Sequence, residues 1–492
     1  MESGLSPLLL ITIIGVYFLG LIFIGHLTGK QIDNKKFFLA GKNSPWWLVA
    51  IGMVGSSLSG VTFMSIPGVV GSGGANMAFS YLQLVFGYLA GYLVIIYVLL
   101  PLYYKTNLTS IYGYLGERFD LKAQKTGSAF FILSRMIQSA FRLFLVAIVI
   151  QQFITGPLGW PFWCTAMLTL ILIYVYTFKG GINTIIWTDP LQTFFMLFAV
   201  VFTIIAISSA MDTSVVGLFG KVYESDYSRV FFFEGGWTDP NNFFKQFLSG
   251  ALITIVMTGL DQDMMQKNLS CKTLKESQKN MITYSIVIAF VNVLFLSLGA
   301  MLYFYAADIG VAIPARTDEL FPMLAMDHLP VIVGVVFILG LIAAAYSSAD
   351  SALTALTTSF CIDFLGFGDE VEKEAYYKTT RRIIHVVFAL IMGIVIVLFE
   401  QLNDDAVISK LFEAAGYTYG PLLGLFAFGI MTKLHVKSLP LIVVCIVSPI
   451  LSYFMNLYSE DWFGGFKFGF TIIALNGALT FLGLFIFSYR RA

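Results

Sequence analysis

Long apolar runs alternate with short polar and charged stretches along the whole chain. A run of about 20 apolar residues is long enough to cross the hydrocarbon core of a bilayer as an α-helix. On this rule the pattern predicts about thirteen transmembrane spans. They cover residues 6–26, 46–70, 77–104, 126–155, 161–178, 185–209, 244–266, 280–305, 331–364, 381–400, 408–431, 437–457 and 466–488. The chain is therefore predicted to be an all-α polytopic membrane protein that forms one transmembrane domain.

The second run is a poor continuous helix, because small and hydroxyl-bearing residues interrupt it between Gly52 and Pro67. Irregular backbone at membrane depth is tolerated only where it is buried in protein or lines a polar cavity. Broken helices of this kind provide carbonyls for cations and helix N-termini for anionic groups in secondary transporters. The alternative is that the small residues only let two helices pack closely.

The amino-acid composition supports the membrane class and gives no indication of a nucleic-acid partner or a metal cluster. The chain has 492 residues, of which 58% are hydrophobic and only 12% charged, a balance that no soluble domain of this length shows. Equal numbers of acidic and basic residues give no indication of a nucleic-acid partner. The four cysteines and four histidines are scattered without metal or disulfide spacing. No obligate protein partner is evident, so the expected surroundings are the lipid bilayer, a small solute and an ion.

The distribution of basic residues predicts the orientation. Alternate loops and span ends hold twenty-one lysines and arginines on one side, among them Lys267, and six on the other. Basic residues accumulate on the cytoplasmic side of membrane proteins. The N-terminus is therefore predicted to lie outside and the C-terminus inside the cell membrane. The first apolar run lacks a basic flank and a cleavage site, so it is interpreted as a retained helix.

Ionisable residues within the spans are rare, and such residues are functional candidates by default. Arg135 and Arg142 lie seven residues apart on the span 126–155 and hence on one helix face. Asp189 and Asp350 are the corresponding acidic candidates.

The span 331–364 carries a polar stripe. Ala344, Ser347, Ser348 and Ser351 follow the spacing of one helix face, and Asp350 flanks it. Several oxygens on one face, opposite a broken helix with free carbonyls, match the oxygen cage of a hard cation. The alternative is that the hydroxyls bond back to carbonyls of their own helix.

Five motifs together carry a resemblance to a known family. They are residues 62–67 (TFMSIP), 114–119 (YLGERF), Gly180–Gly181 with 187–189 (WTD), Gln262–Asp263 with Gln266, and 343–348 (AAAYSS). With them the chain resembles the sodium/solute symporter family over nearly its whole length, and especially its bacterial sialic acid transporter branch. The resemblance implies a LeuT-type 5+5 fold. Residues 46–209 would form the first repeat and 244–431 the inverted second repeat, with an extra helix at 6–26 and two more at 437–488.

The resemblance also implies the binding residues. One Na⁺ site would use the carbonyls of Gly55, Leu58 and Ala344 with the hydroxyls of Ser347 and Ser348. A second Na⁺ site, present in some members, would use Asp189, Ser347, Asp350 and Ser351. The substrate pocket would comprise Ser57, Ser59, Thr62, Phe79, Tyr81, Gln83 and Arg142.

Asp350 departs from the family pattern, which has a hydroxyl residue at this position. The extra carboxylate could bind Na⁺, carry a proton or be neutralised by a cation. Both Asp350 and Arg135 fall in the cytoplasmic half of their spans, so we predict an ion pair between them. An unpaired buried carboxylate would otherwise take up a proton.

The resulting functional hypothesis is Na⁺-driven import of a small organic solute by alternating access. Arg142 suggests a carboxylate on the solute, because a guanidinium and a carboxylate pair in a two-pronged geometry. The alternative for Arg142 is a pair with an intramembrane aspartate. Sialic acid is the leading substrate, and a neutral sugar, another sugar acid or a different monocarboxylate are the alternative substrates. The alternative functions are H⁺-coupled transport and a solute sensor. An enzyme is not expected, because no nucleophile–base pair or metal motif lies within the spans.

Overall fold

A computed structural model describes residues 7–29, 33–178, 180–368, 371–402 and 407–490 of the chain. Most of this part is helical, as expected where lipid offers no partner for backbone polar groups. The helices of the first half are α1 (Pro7–Thr28), α2 (Asn34–Leu39), α3 (Trp46–Ser57), α4 (Gly60–Val69), α5 (Tyr81–Val94), α6 (Leu100–Lys105), α7 (Gly113–Arg118), α8 (Leu121–Ile150), α9 (Phe162–Thr177), α10 (Ile182–Ala210) and α11 (Val215–Glu224).

The second half repeats the alternation of long helices and short connections. Its helices are α12 (Phe243–Thr254), α13 (Gln262–Leu269), α14 (Leu274–Asp308), α15 (Leu320–Met323), α16 (Val331–Ser359), α17 (Glu374–Leu402), α18 (Val407–Met431), α19 (Ser438–Leu457), α20 (Ser459–Trp462) and α21 (Ile472–Ile486). Two short strands, β1 (His435–Val436) and β2 (Ser488–Tyr489), pair antiparallel.

Short π-helical and 3₁₀ segments extend or link these helices. The π segments are Ile95–Leu99, Gln151–Thr155, Ile255–Gly259, Leu324–His328 and Phe360–Phe364. The 3₁₀ segments are Ala40–Lys42, Asp226–Ser228, Gly236–Thr238, Thr317–Glu319, Val371–Lys373 and Gly469–Thr471.

Within the described residues, ten helices are long and apolar enough to cross a membrane, and twelve spans result if each of two bent helix pairs is one span. The count of thirteen is not confirmed, because the predicted span 161–178 is the shorter helix α9, of 16 residues. Large apolar side chains are exposed on the outer helices, for example Leu19 and Phe290, as lipid-facing positions require. The membrane class is therefore confirmed.

Two spans are broken, each at the start of one predicted repeat. The helices α3 and α4 bend by 58° at Leu58 and Ser59, whose backbone is not helical. The π segment after α12 and the helix α13 bend by 62° at Leu260 and Asp261. The first break confirms the prediction from residues 52–67. The second was not predicted, since residues 244–266 were assigned to one continuous span.

The remaining helices hold the two broken spans in place. The helix α10 packs against α3 and α16, while α5 packs closely on α12. A Cβ atom at Gly87 or Gly250 would collide with the backbone of the facing helix, so the α5–α12 contact depends on glycine. This packing brings both breaks to the interior of the bundle.

Candidate functional site

The first helix break opens onto a cavity of about 110 Å³ in the interior of the bundle. Its walls come from α3, α4, α5, α8, α13 and α14 and from the end of α12 with its π segment. The lining residues are Ser56, Ser57, Leu58, Ser59, Val61, Thr62, Tyr81, Tyr88, Tyr92, Arg135, Arg142, Ile253, Thr254, Met257, Thr258, Met264, Tyr284, Ile288 and Asn292.

Five of the seven predicted substrate residues are brought together at this cavity. They are Ser57, Ser59, Thr62, Tyr81 and Arg142. Phe79 and Gln83 are not among the lining residues. The Gln83 amide donates to the carbonyl oxygens of Ser80 and Asn241, and its oxygen accepts from the Phe232 amide. Gln83 therefore anchors a loop outside the cavity.

Tyrosine hydroxyls form much of the polar wall, and the sequence interpretation missed most of them. Ser57 Oγ lies 2.7 Å from the hydroxyl of Tyr284, to which Tyr92 donates at 3.1 Å. The hydroxyls of Tyr81 and Tyr88 lie 3.0 Å apart. The spacing of 81, 88 and 92 places these three on one face of α5 and could have revealed them. The cavity therefore offers several hydroxyls beside the helix break.

The N-terminus of α4 is open toward the cavity. Its cap residue, Ser59, makes no side-chain capping bond, and Ser59 and Thr62 both line the cavity. The first amides of a helix carry partial positive charge and attract anionic groups. In contrast, the carboxylate of Asp261 caps α13 by accepting from two amides. Of the two breaks, the first is thus the one that leaves amides for a ligand.

Arg142 adds a full positive charge beside that helix end. Its side chain is 9% exposed, and Nη1 donates to Ser348 Oγ at 2.9 Å. Its Nε makes no hydrogen bond to the described residues. The alternative of a pair with an intramembrane aspartate is not what the structure shows, since Arg142 contacts a hydroxyl. A buried arginine with an unused donor beside a cavity is arranged to bind an anion.

Two of the residues predicted for the first Na⁺ site, Gly55 and Ser347, meet where α3 packs against α16. A Cβ atom built on Gly55 would lie 3.3 Å from Ser347 Oγ and would collide with Thr193 Oγ1, so only glycine allows this approach. Ser56 Oγ is also 3.3 Å from Ser347 Oγ. The backbone at Leu58 is not helical, and Ser347 and Ser348 of α16 are buried hydroxyls; a carbonyl and hydroxyls of this kind are donors that suit a hard cation.

The side chains predicted for the second Na⁺ site are divided between two networks. Asp189 accepts from Ser347 Oγ at 2.9 Å and from Ser56 Oγ at 2.8 Å. Asp350 accepts instead from the Tyr176 hydroxyl of α9 at 2.8 Å and from the Ser351 amide at 2.5 Å. The two carboxylates therefore have different partners.

Lys267 is the third partner of Asp189. The prediction that Lys267 belongs with the cytoplasmic loop residues is therefore wrong. Lys267 was counted among them, yet its side chain is only 2% exposed, within α13. Its Nζ lies 2.7 Å from Asp189 Oδ2 and contacts Ser56 Oγ. Burial of α13 beneath the second helix break explains the error, because the linear pattern showed only a run of polar residues after an apolar span.

The predicted ion pair between Asp350 and Arg135 is wrong. Arg135 is 2% exposed and pairs with Asp263, while its Nη1 lies 3.7 Å from Asp261 Oδ2. The Tyr419 hydroxyl donates to the same Asp261 carboxylate. Similar depth in the membrane suggested Asp350, but the second helix break carries two nearer carboxylates to the α8 face that bears Arg135.

Comparisons with known proteins agree with this architecture. A family model described as the sodium:solute symporter family matches residues 37–438. The chain is similar to the sodium/sialic acid symporter NanT of Aliivibrio fischeri, with 27% identity over 85% of this chain and 80% of that protein. The sodium/sialic acid symporter SiaT of Proteus mirabilis is 25% identical over 85% of this chain and 83% of its own. The human sodium/iodide cotransporter is 23% identical over 87% of this chain and 65% of its own.

Solved structures show the same fold. A Na⁺-coupled sialic acid symporter, solved in a substrate-bound outward-open state, superposes with a TM-score of 0.81 at 21% identity and covers 97% of both chains. The nucleobase-cation-symport-1 family transporter Mhp1 superposes with a TM-score of 0.55 at 13% identity, over 92% of this chain and 94% of its own. The predicted LeuT-type architecture is thereby confirmed.

Proposed function

The chain belongs to the sodium:solute symporter family, and on this premise we propose that it imports a small carboxylate-bearing solute together with Na⁺. Its family consists of transporters, not enzymes, and Na⁺ is its coupling ion. The proposal concerns the substrate, the binding residues and the direction of transport.

The observation that carries the proposal is Arg142 beside the open N-terminus of α4. A carboxylate in the cavity would reach the guanidinium and the amides that follow Ser59, two positive groups that nothing in the described chain neutralises directly. Hydroxyls of Ser57, Tyr81 and Tyr92 would bind the polar remainder of the solute. A buried arginine of this kind would be unfavourable without an anionic ligand to compensate it.

Sialic acid is the first candidate substrate. It is the solute named for two relatives that match most of this chain, and it combines a carboxylate with many hydroxyls. A short monocarboxylate is the second candidate, because the cavity measures only about 110 Å³. Pockets for drug-sized ligands typically have volumes of about 300–1,000 Å³. Sialic acid would therefore require the cavity to widen on binding, whereas a short monocarboxylate would not.

Alternating access would connect the two binding events. Na⁺ at the α3–α16 contact would hold Leu58 and the break in the geometry that presents Ser59 and Thr62 to the solute. The membrane potential would add about 2.3 kcal/mol per transported charge for each 100 mV. We place the protein in the cell membrane with its N-terminus outside and its C-terminus in the cytoplasm, on the distribution of basic residues.

Uptake into proteoliposomes tests the function directly. Purified protein is expected to accumulate labelled sialic acid or a short monocarboxylate when a Na⁺ gradient is imposed, and not when an H⁺ gradient alone is imposed. Iodide and neutral sugars serve as comparison solutes in the same vesicles. Accumulation driven only by the H⁺ gradient would contradict Na⁺ coupling, and uptake of neutral sugars alone would contradict the carboxylate.

Removing a hydroxyl from α16 is expected to weaken Na⁺ coupling. The variants Ser347→Ala and Ser348→Ala each lose one oxygen in a place that water reaches poorly, so the apparent Na⁺ affinity of uptake should fall roughly 10-fold or more. Ser65→Ala, a buried serine of α4 outside the proposed site, is the control and should keep the wild-type Na⁺ dependence. Unchanged Na⁺ dependence in both α16 variants would show that the ion binds elsewhere.

A further inference from the structure

The amine of Lys267 contacts Asp189, the carboxylate at which a second Na⁺ site would be built. Its Nζ lies 2.7 Å from Asp189 Oδ2 and contacts Ser56 Oγ, and Asp263 Oδ1 is 4.0 Å away. These oxygens belong to three different helices, α10, α3 and α13. An ammonium group has three N–H donors and no acceptor, so it suits this set of two hydrogen-bonded oxygens and a nearby carboxylate charge.

From this arrangement we propose that Lys267 is a covalently tethered cation that takes the place of a second Na⁺, so that the chain couples one Na⁺ ion to each solute molecule. The inference rests on the Na⁺-coupled transport proposed above and specifies its stoichiometry. It also explains why the carboxylate of Asp189 can remain charged in the interior of the bundle.

Na⁺ and the ammonium would compete for the same oxygens. Asp189 Oδ1 already accepts from Ser347 and Oδ2 from both Lys267 and Ser56. A Na⁺ ion bound to this carboxylate would lie within a few ångströms of Nζ, and two like charges so close in a buried place repel strongly. The site between α3 and α16 shares Ser347 with the Asp189 network, but the Lys267 amine donates to Asp189 and Ser56 and not to the hydroxyls of Ser347 and Ser348.

The packing of the helices holds the Lys267 side chain against Asp189. Lys267 is 2% exposed and Asp189 1% exposed, so neither can exchange its partner for water without moving the helices apart. A second buried lysine, Lys245 in α12, has a different environment: its Nζ donates to the backbone carbonyls of Trp237 and Lys467. Lys245 is therefore a suitable control for Lys267, because it is also a buried lysine but binds carbonyls and not a carboxylate.

Na⁺ binding in detergent, measured without any solute, tests the proposal. The thermal stability of the purified protein is followed against NaCl, with choline chloride at constant ionic strength. The wild type is expected to respond as a protein with one Na⁺ site. Lys267→Met removes the ammonium and leaves Asp189 free for an ion, so its Na⁺ response should become that of two sites, with a steeper dependence. Lys267→Met with Asp189→Asn should return to one site, and Lys245→Met should keep the wild-type response.

The flux ratio of radiolabelled Na⁺ to labelled solute in proteoliposomes provides an independent measurement on the wild type. One Na⁺ per solute is expected. A flux ratio of two in the wild type, or a one-site Na⁺ response in folded Lys267→Met, would overturn the tethered cation and leave Na⁺-coupled transport intact. The absence of any Na⁺ response in the wild type would overturn the proposed function itself.

Discussion

Replacing Arg135 by methionine is expected to destabilise the folded protein by about 3–5 kcal/mol, because the change strands two buried carboxylates. Arg135 pairs with Asp263, and Asp261 lies 3.7 Å from its Nη1. Both aspartates are fully buried at the second helix break. The expected result is a large fall in the thermal unfolding temperature, measured in one detergent at fixed NaCl.

Two further variants separate this explanation from a general loss of packing. Arg135→Met combined with Asp263→Asn should recover a substantial part of the stability, because the partner charge is removed with the arginine. Asp350→Asn is the control for an intramembrane charge outside this cluster, since Asp350 bonds to Tyr176 and to a backbone amide. Strictly additive losses in the double variant would contradict the ion pair.

Arg142→Lys is expected to weaken binding of an acidic solute roughly 10–100-fold, as the loss of a charge-assisted bidentate bond of about 1.5–3 kcal/mol implies. Lysine keeps the charge but loses the planar fork and the reach to Ser348 Oγ, which lies 2.9 Å from Nη1. The half-saturation concentration for uptake, at saturating Na⁺, measures the effect.

Two controls belong to the Arg142→Lys experiment: the methyl ester of the same acid as a comparison ligand, and the substitution of a second arginine as a control variant. The wild type should bind the ester much more weakly than the acid, and Arg142→Lys should discriminate less between them. Arg118→Lys is the matched control, because Arg118 donates only to the carbonyls of Gly429, Thr432 and Leu434, far along the chain from the cavity. Equal binding of acid and ester in the wild type would remove Arg142 from the role of carboxylate receptor.

The two helix breaks differ in how the N-terminus of the following helix is capped, and this difference suits them to different roles. Ser59 makes no side-chain capping bond and leaves the first amides of α4 available at the cavity. The carboxylate of Asp261, in contrast, accepts hydrogen bonds from two of the first amides of α13. Arg135 then neutralises Asp261 and Asp263 from α8. The first break is thus suited to bind solute and ion, and the second is suited to keep its shape while it carries Lys267 to Asp189.

The sequence alone determined the membrane class, the family, the first break and the polar stripe of α16. The class, the break and the stripe are each a property of one segment: its length, its periodicity or the density of glycine and serine within it. The family follows from five motifs spread along the chain. The family resemblance implied Ser57, Ser59, Thr62, Tyr81 and Arg142 as substrate residues, and the structure brings all five to one cavity. Their roles in binding stay predictions that the experiments above decide.

Only the tertiary structure decided which charges are partners. Position along a span indicates the depth of a side chain and its face on one helix, but the choice of partner depends on how distant helices pack and rotate against each other. The predicted spans give Arg135 and Asp350 a similar depth, yet the second break brings Asp263 to Arg135. Lys267 follows an apolar span like a loop residue, yet α13 turns inward and buries it on Asp189. Unpaired charge is too unfavourable in the interior of a membrane protein to tolerate a wrong partner, so these pairs are strictly specified by the packing and are invisible in any single segment.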